Sequence, residues 1–366
     1  MRGRFFLAFS SSPVCFSVSG IEYRLFPTEL ILPSCNTRSV TMEYMAAQIF
    51  DGKQFASERE KVLQRRISEL GFVPKLVSVF FAEDPGSVLY TNLKQKAAQR
   101  VGIAFHAEEV SIMDDVDTVL RLIKNHSNDS KVHGLMVQKP AKAIFFEQPD
   151  TGWAGAGLMD TMVKNLKYFV TAGRVGVGTD AWWKRLTVEI RPSKDVDCLR
   201  RVSLDRVYRG RWRILPATVR AIMGILESVS ARRGLAEKRV VVVGRSEIVG
   251  KPLAHVLAQK GAKVTLCAST GVVAKSLGSR LVKEHKPLDL ASAVSEADVV
   301  ISATGKPGII TGEMVKRGAV VVDVGAPVGD VDFDRVKKKA SFITPVPGGV
   351  GPVTVVSLME NLLDLI

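Results

Sequence analysis

Cysteine is scarce in this sequence: Cys15, Cys35, Cys198 and Cys267 are the four among 366 residues. They stand far apart and form no CxxC pair, which excludes a disulfide framework and a cysteine zinc site. The five histidines, His106, His126, His133, His255 and His285, show no metal-ligand spacing, so no metal is expected. No run of about 18 uninterrupted apolar residues occurs, so no membrane-spanning helix and no membrane partner are expected. Acidic residues are in deficit, 37 against 51 lysines and arginines, for a net charge of +14. A basic surface attracts anions. The basic residues are dispersed and no nucleic-acid motif accompanies them, so nucleic acid is not the expected partner; anionic small molecules fit the same charge. A reducing compartment, the cytoplasm, follows from the unpaired cysteines. With 46% hydrophobic and 24% charged residues the composition is that of a globular protein, and the length leaves room for two domains.

Residues 1–44 differ in composition from the rest of the chain. They carry Arg2, Arg4, Arg24 and Arg38, no lysine and many serines, with a short apolar run from Phe5 to Phe9. An Arg- and Ser-rich start reads as a transit peptide for a mitochondrion or other organelle. Glu22, Glu29 and Glu43 speak for the alternative, a disordered tail or an early start ahead of Met45. From there helices and strands alternate as in a parallel α/β layer. A helix is expected over 53–71, a strand over 75–82, and a second helix opened by Asp84 and Pro85 and running to about Arg100. Next come a strand over 103–110, a helix over 116–126 and a strand over 133–137. Residues 141–181 lose this rhythm and read as a glycine-rich insertion, partly helical near 158–169. Periodicity resumes near Trp182. A second α/β unit comes after it, with strands at 238–244, 262–267, 298–304 and 319–325, a helix at 251–260 and a closing helix at 353–366.

The turn after the first strand of that second unit reads Gly244-Arg245-Ser246-Glu247-Ile248-Val249-Gly250. It lacks the middle glycine of GxGxxG, yet strand, small-residue turn and helix come in the Rossmann order. The free N–H groups of the helix favour phosphate oxygens, and Arg245 offers a fork of donors to a second phosphate. The plainer alternative is a surface arginine beside an ordinary turn. The next strand ends Cys267-Ala268-Ser269-Thr270, with no acidic residue. Ser269 beside Arg245 favours NADP over NAD, which prefers a carboxylate there; a plain turn serine is the alternative. On the helix after Asp84, Tyr90 and Lys94 are four apart and share a face. An aromatic ring beside an amine suits a flat heterocycle that exchanges a proton, although such pairs are also common on exposed helices.

Longer segments stand in one order: DPGSVLYTNLKQKAAQRVGI at 84–103, HGLMVQKP at 133–140, PSKDVDCL at 192–199, VVVGRSEIVGKP at 241–252, ATGKPG at 303–308 and ITPVPGGVGPVT at 343–354. In identity and order they resemble the methylenetetrahydrofolate dehydrogenase/methenyltetrahydrofolate cyclohydrolase family from about Ala46 to Ile366. The resemblance implies two α/β domains flanking a cleft, the second a Rossmann-type dinucleotide-binding domain. It implies oxidation of methylenetetrahydrofolate with NADP, hydrolysis of the methenyl product, tetrahydrofolate as carrier, and a homodimer. By the same resemblance Lys94 is the catalytic lysine, Tyr90 packs on the folate, and Gln138 hydrogen-bonds Lys94. Asp197 binds the pterin, and Gly348, Gly349 and Pro352 border the cleft. Gly244, Arg245, Ser246, Gly250 and Ser269 hold the cofactor, Arg245 and Ser269 gripping the 2′-phosphate. The implied domains are 45–212 for folate, 213–345 for NADP, and 346–366 returning to the first.

The chain also departs from the family pattern. Lys139 replaces a leucine after the glutamine, Cys198 a glycine after the second aspartate, and Ala268 a histidine before the serine. The PCTP stretch reads Pro216-Ala217-Thr218-Val219. Insertions fall at about 146–180 and 271–287. Lys139 and Cys198 keep open an enzyme with only one of the two activities; a non-catalytic folate- or dinucleotide-binding relative is the third reading.

Overall fold

A computed structural model describes residues 47–141, 144, 175–230, 234–283 and 289–366. Local capping sets most of the boundaries. After β1 (Gln48–Ile49), the Asp51 carboxylate accepts the Gln54 N–H and opens α1 (Gly52–Ser68). After β2 (Lys75–Phe81), Asp84 accepts from the Gly86 N–H and the Ser87 hydroxyl and opens α2 (Pro85–Val101). A proline in the first turn costs nothing because its missing N–H has no helical partner. Gly102, at φ 88°, closes α2 in the left-handed conformation. Then come β3 (Ala104–Val110), α3 (Val116–Asn128), β4 (Gly134–Val137), α4 (Val175–Thr187), α5 (Arg201–Tyr208) and α6 (Ala217–Ser230). The second half runs β5 (Arg239–Val243), α7 (Gly250–Gln259), β6 (Lys263–Ala268), β7 (Gly271–Leu277), β8 (Arg280–Lys283), α8 (Leu290–Ser295), β9 (Val299–Ser302), β10 (Val320–Asp323), α9 (Phe333–Val336), β11 (Phe342–Ile343) and α10 (Val350–Leu365).

The strands form two sheets. One is three-stranded and parallel, in the order β3-β2-β4. The other is eight-stranded, in the order β1-β11-β10-β9-β5-β6-β7-β8, parallel except at the β6–β7 and β7–β8 pairs. Val240 to Val243 and Val299 to Ile301 are all buried, as expected of parallel strands covered on both faces, whose sequences read as continuous apolar runs. This is the mixed α/β class anticipated from the sequence. Residues 45–366 form one compact unit. β1 of the expected first domain pairs with β11 in the larger sheet, and α6 of the expected second domain packs on α10, as does α1.

α10 is buried on nearly every side, including Glu360 and Asn361. Buried charge is tolerated only when paired. Arg59 and Arg220 both meet Glu360, while Arg66 and Arg220 meet Asp364 at 2.8 and 2.5 Å. These pairs join α10 to α1 and α6.

Three expectations change. α4 begins at Val175, ahead of the periodicity that resumes near Trp182, because Gly176 and Gly178 lower helix propensity and mask the start. The last helix begins at Val350 rather than 353, since Pro352 falls in the first turn, where no N–H is required. The 271–287 insertion contains a hairpin, β7–β8, that extends the sheet beyond β6. The expectations for residues 1–44, for a helix near 158–169 and for most of the 146–180 insertion lie outside the described residues; 175–180 belong to α4. No described helix is long and apolar enough to cross a membrane.

Candidate active site

α2 turns Ser87, Thr91, Lys94, Ala98 and Val101 into the protein. These positions alternate by four and three residues, the spacing of one helical face. Lys94 is 8% exposed, while Tyr90, one turn earlier, is 36% exposed at the rim. Removing the Lys94 amine from water disfavours its charge and lowers its pKa to about 8, against the opposing pull of the Asp197 carboxylate. Asp197 retains some accessible surface but is surrounded by protein. Its desolvation raises the carboxyl to about 6, opposed by the hydrogen bond from Ala217 and the charge of Lys94. Burial likewise raises the Tyr90 hydroxyl.

The loop that carries Asp197 is fixed from several directions. The fully buried Asp195 accepts the N–H groups of Leu199 and Arg200 at 2.8 and 3.0 Å and the Ser203 hydroxyl at 2.6 Å. Asn361 of α10 donates to the Val196 and Leu215 carbonyls at 2.8 and 2.7 Å. The Ala217 N–H, at the start of α6, donates to Asp197 Oδ1 at 2.6 Å. This bond comes from the backbone, so alanine serves where the family has cysteine. Cys198 adopts φ 52°. That left-handed conformation favours glycine and accounts for the family's residue there.

Gln138 lies at the end of β4, with its N–H on the Val79 carbonyl at 2.8 Å. Its side-chain amide donates to Thr91 Oγ1 at 3.4 Å. Among the described residues no hydrogen bond joins Gln138 to Lys94, the contact implied by the resemblance; the amide takes the Thr91 hydroxyl, one helical turn before Lys94. Lys139, the unexpected charge, faces α4: its Nζ is 2.8 Å from Asp180 and 5.3 Å from the Trp183 ring centre. Trp183 Nε1 also donates to the Gln138 carbonyl at 3.2 Å. Gly348 and Gly349 pack on Gly52 so closely that a Cβ at residue 52 would lie 1.9 Å from the Gly349 oxygen. Gly52, Thr91, Trp183, Asp195 and Asn361 all escaped the sequence reading, because only tertiary contact gives them a role. Pro352 sits in the first turn of α10 beyond that glycine pair.

The second group lies at the carboxyl ends of β5, β6 and β9. Gly244, at φ 119°, lets the Ala303 carbonyl come within 2.2 Å of where a Cβ would stand. A Cβ on Gly250 would meet the Gly244 oxygen at 1.8 Å. The two glycines therefore let the turn fold tightly onto the helix and the neighbouring loop. Ser246 Oγ accepts the Val249 and Gly250 N–H groups, each at 3.2 Å, so this serine closes the turn that leads into α7. Glu247 is neutralised by Lys184 of α4 at 2.6 Å and by Lys251 at 3.5 Å. Arg245 is exposed and has no carboxylate partner among the described residues. Val243 pairs with Cys267, which brings Arg245 and Ser269 to the same end of neighbouring strands. The tight glycine turn, the unpaired arginine and the absence of an acid at Ala268-Ser269-Thr270 fit a dinucleotide with a 2′-phosphate.

One grouping was hidden by sequence spacing. His106 and His126 both contact Glu108 Oε2, at 2.9 and 2.7 Å. The three ligand atoms lie within 4.8 Å of one another. This trio ties α3 to β3 and stands apart from the residues above.

Comparison with known proteins matches both halves of the chain to one family. Residues 50–148 match the family model for the tetrahydrofolate dehydrogenase/cyclohydrolase catalytic domain, and 216–366 match that for its NAD(P)-binding domain. The bifunctional protein FolD of an Exiguobacterium species is 34% identical over 328 residues, covering 87% of this chain and 98% of the relative. That of Methanoculleus marisnigri is 35% identical, covering 86% and 94%. Among solved structures, the Trypanosoma brucei methylenetetrahydrofolate dehydrogenase-cyclohydrolase, complexed with NADP and an inhibitor, is 30% identical with a TM-score of 0.68, covering 88% of this chain and 97% of that one. The Campylobacter jejuni enzyme is 29% identical with a TM-score of 0.66, covering 87% and 98%. With this coverage of both halves, the chain belongs to the tetrahydrofolate dehydrogenase/cyclohydrolase family.

Proposed function

We propose that this protein oxidises 5,10-methylenetetrahydrofolate to the 5,10-methenyl form with NADP and then hydrolyses that product to 10-formyltetrahydrofolate. The observation that carries the reading is the buried Lys94 amine, lowered to about 8 and coupled to Asp197. At pH 7.5 roughly a quarter of such an amine is neutral, against about one in a thousand for an ordinary lysine. A neutral amine can take a proton from the water that attacks the methenyl carbon and return it as the ring opens. A cationic methenyl group beside it disfavours the ammonium further. NADP, when bound, accepts the hydride of the first step.

Asp197 has one oxygen on the Ala217 N–H, and the carboxylate is the group suited to receive the N–H edge of a pterin. Tyr90 at the rim gives the flat substrate a ring to stack on. Gln138 anchors the loop beside α2, and its amide is within one turn of Lys94 for exchange onto that amine when substrate binds. Gly348, Gly349 and Pro352, at the start of α10 against Gly52, are assigned to the border of the cleft. On the cofactor side Gly244, Arg245, Ser246, Gly250 and Ser269 form the proposed binding set, with Ser246 shaping the turn. Residues 45–212 and 346–366 are assigned to folate and 213–345 to NADP; the NAD(P)-binding family model itself runs on through 346–366. A homodimer and a cytoplasmic location belong to the same proposal, the first resting on the family resemblance and the second on the unpaired cysteines.

A single-activity enzyme was the reading that Lys139 and Cys198 kept open. Lys139 is accommodated by Asp180 and Trp183, and Cys198 keeps the left-handed turn that suits the family's glycine, at a local cost in strain. The test is a pair of separate assays, NADPH formation from the methylene substrate and decay of methenyltetrahydrofolate. Both activities are expected in the wild type. Loss of either one while ligands still bind would replace the bifunctional reading with the narrower one.

A further inference from the structure

The 303–308 loop follows β9 and contains Lys306, a residue without a role so far. Its backbone is held firmly. The buried Asp330 carboxylate accepts the Ser302 hydroxyl at 2.8 Å, the Thr304 N–H at 2.6 Å and the Thr304 hydroxyl at 2.9 Å. Thr304 Oγ1 in turn accepts the Lys306 N–H at 3.1 Å. Gly305 and Gly308, at φ 67° and 70°, turn the chain on either side of Lys306. β9 neighbours β5, and β5 neighbours β6. The loop leans on the nucleotide turn where the Ala303 carbonyl meets Gly244. From that position Lys306 reaches over the end of β5, and its Nζ donates to Ser269 Oγ at 3.0 Å.

Ser269 is equally well fixed. Ala268 pairs with Gly271 across the β6–β7 hairpin, so Ser269 and Thr270 form its two-residue turn. The inserted hairpin therefore holds the serine at the strand end. Lys306, like Arg245, is exposed and has no carboxylate partner among the described residues. Two unpaired cations thus stand at the strand ends beside one hydroxyl, and the nearby Glu247 is already neutralised by Lys184 and Lys251. An ammonium bonded to a hydroxyl, with a guanidinium on the turn of the neighbouring strand, supplies the donors that suit a phosphate monoester.

We propose that Lys306 is a third contact for the 2′-phosphate of NADP, acting with Arg245 and Ser269 from the far side of the β5 turn, and that it sets the preference for NADP over NAD. The inference rests on the proposed cofactor site and extends it to a residue from a different strand. The uncharged Lys306→Leu variant keeps an apolar stem, and Lys306→Arg keeps the charge. Calorimetric titration of the full chain with adenosine 2′,5′-bisphosphate and with 5′-AMP separates the phosphate from the rest of the nucleotide. Lys306→Leu is expected to weaken the bisphosphate about tenfold or more, the scale of one charge-assisted hydrogen bond. It is expected to change 5′-AMP binding less than twofold, and Lys306→Arg is expected to recover most of the loss. The loss is also expected to shrink at high salt, because the group is exposed. Bisphosphate binding unchanged in Lys306→Leu, or an equal loss for both nucleotides, would overturn the role of Lys306 while leaving the cofactor site in place. A wild-type protein that binds neither NADP nor the bisphosphate would remove the site itself and the proposal with it.

Discussion

The two halves of the site do their work by opposite means. Lys94 and Asp197 depend on burial: dehydration moves the amine down to about 8 and the carboxyl up to about 6, so both titrate near neutrality. Arg245, Ser269 and Lys306 depend on position at the open ends of neighbouring strands, with the two cations left in solvent. The first half is prepared for proton transfer, which needs matched pKa values. The second is prepared for recognition, which needs a fixed charge and a fixed turn. Substitutions in the buried half should therefore change rates and pH profiles, and those in the exposed half should change affinities and salt dependence.

The largest expected effect breaks the buried half. Lys94→Met should slow methenyl hydrolysis by about 10²- to 10⁴-fold, the usual range for a general acid–base group, while NADP affinity stays as in the wild type. Full hydrolysis by this variant would take Lys94 out of the mechanism. Asp197→Asn comes next. Loss of a charge-assisted bond to the pterin should weaken folate binding about 10- to 100-fold, measured by fluorescence titration; unaltered binding would place the pterin elsewhere. In the exposed half, Arg245→Met should weaken NADP about tenfold or more and leave NAD nearly unaffected. An equal loss for both would mean that Arg245 serves the shared part of the dinucleotide. The smallest effect concerns Cys198. Alanine normally tolerates burial better than glycine, but at φ 52° glycine relieves strain that alanine retains. Cys198→Gly should accordingly be no less stable than Cys198→Ala in urea unfolding, and a clear advantage for alanine would remove the strain argument.

The same contrast governs how much could be read in the sequence. The nucleotide half was legible from local order, because a valine strand, a glycine-bearing turn and a helix are consecutive in the chain. Ser269 needed only the next strand. Lys306 was missed because its loop lies after β9, and nothing local indicates that it crosses the β5 turn. In the buried half, Tyr90 and Lys94 were visible as one helical face, but their spacing is common; the surrounding segments, not the pair, gave it meaning. Asp197 took its role from resemblance alone. Its supports, Asp195, Asn361 and the Ala217 N–H, come from three distant stretches and leave no periodic signature. Glycine misled in one place: Gly176 and Gly178 concealed the first turn of α4. Histidine spacing gave no sign of another grouping, since His106 and His126 come together on Glu108 only in the fold.

The shifted pair also sets the pH dependence. If Asp197 receives the pterin as proposed, it does so ionised, and folate binding should rise as pH passes upward through about 6. Lys94 must lose its proton to act as a base, so hydrolysis should continue to rise through about 8. Because the Asp197 charge is what holds the amine up, Asp197→Asn should move the second midpoint downward.

The most direct measurement is an NMR titration of the Lys94 side chain in lysine-labelled protein, assigned against Lys94→Met. An amine emptied of water and facing a carboxylate should lose its proton with a midpoint near 8, and earlier still in Asp197→Asn. A midpoint above about 10, like that of a solvated surface lysine, would contradict the account.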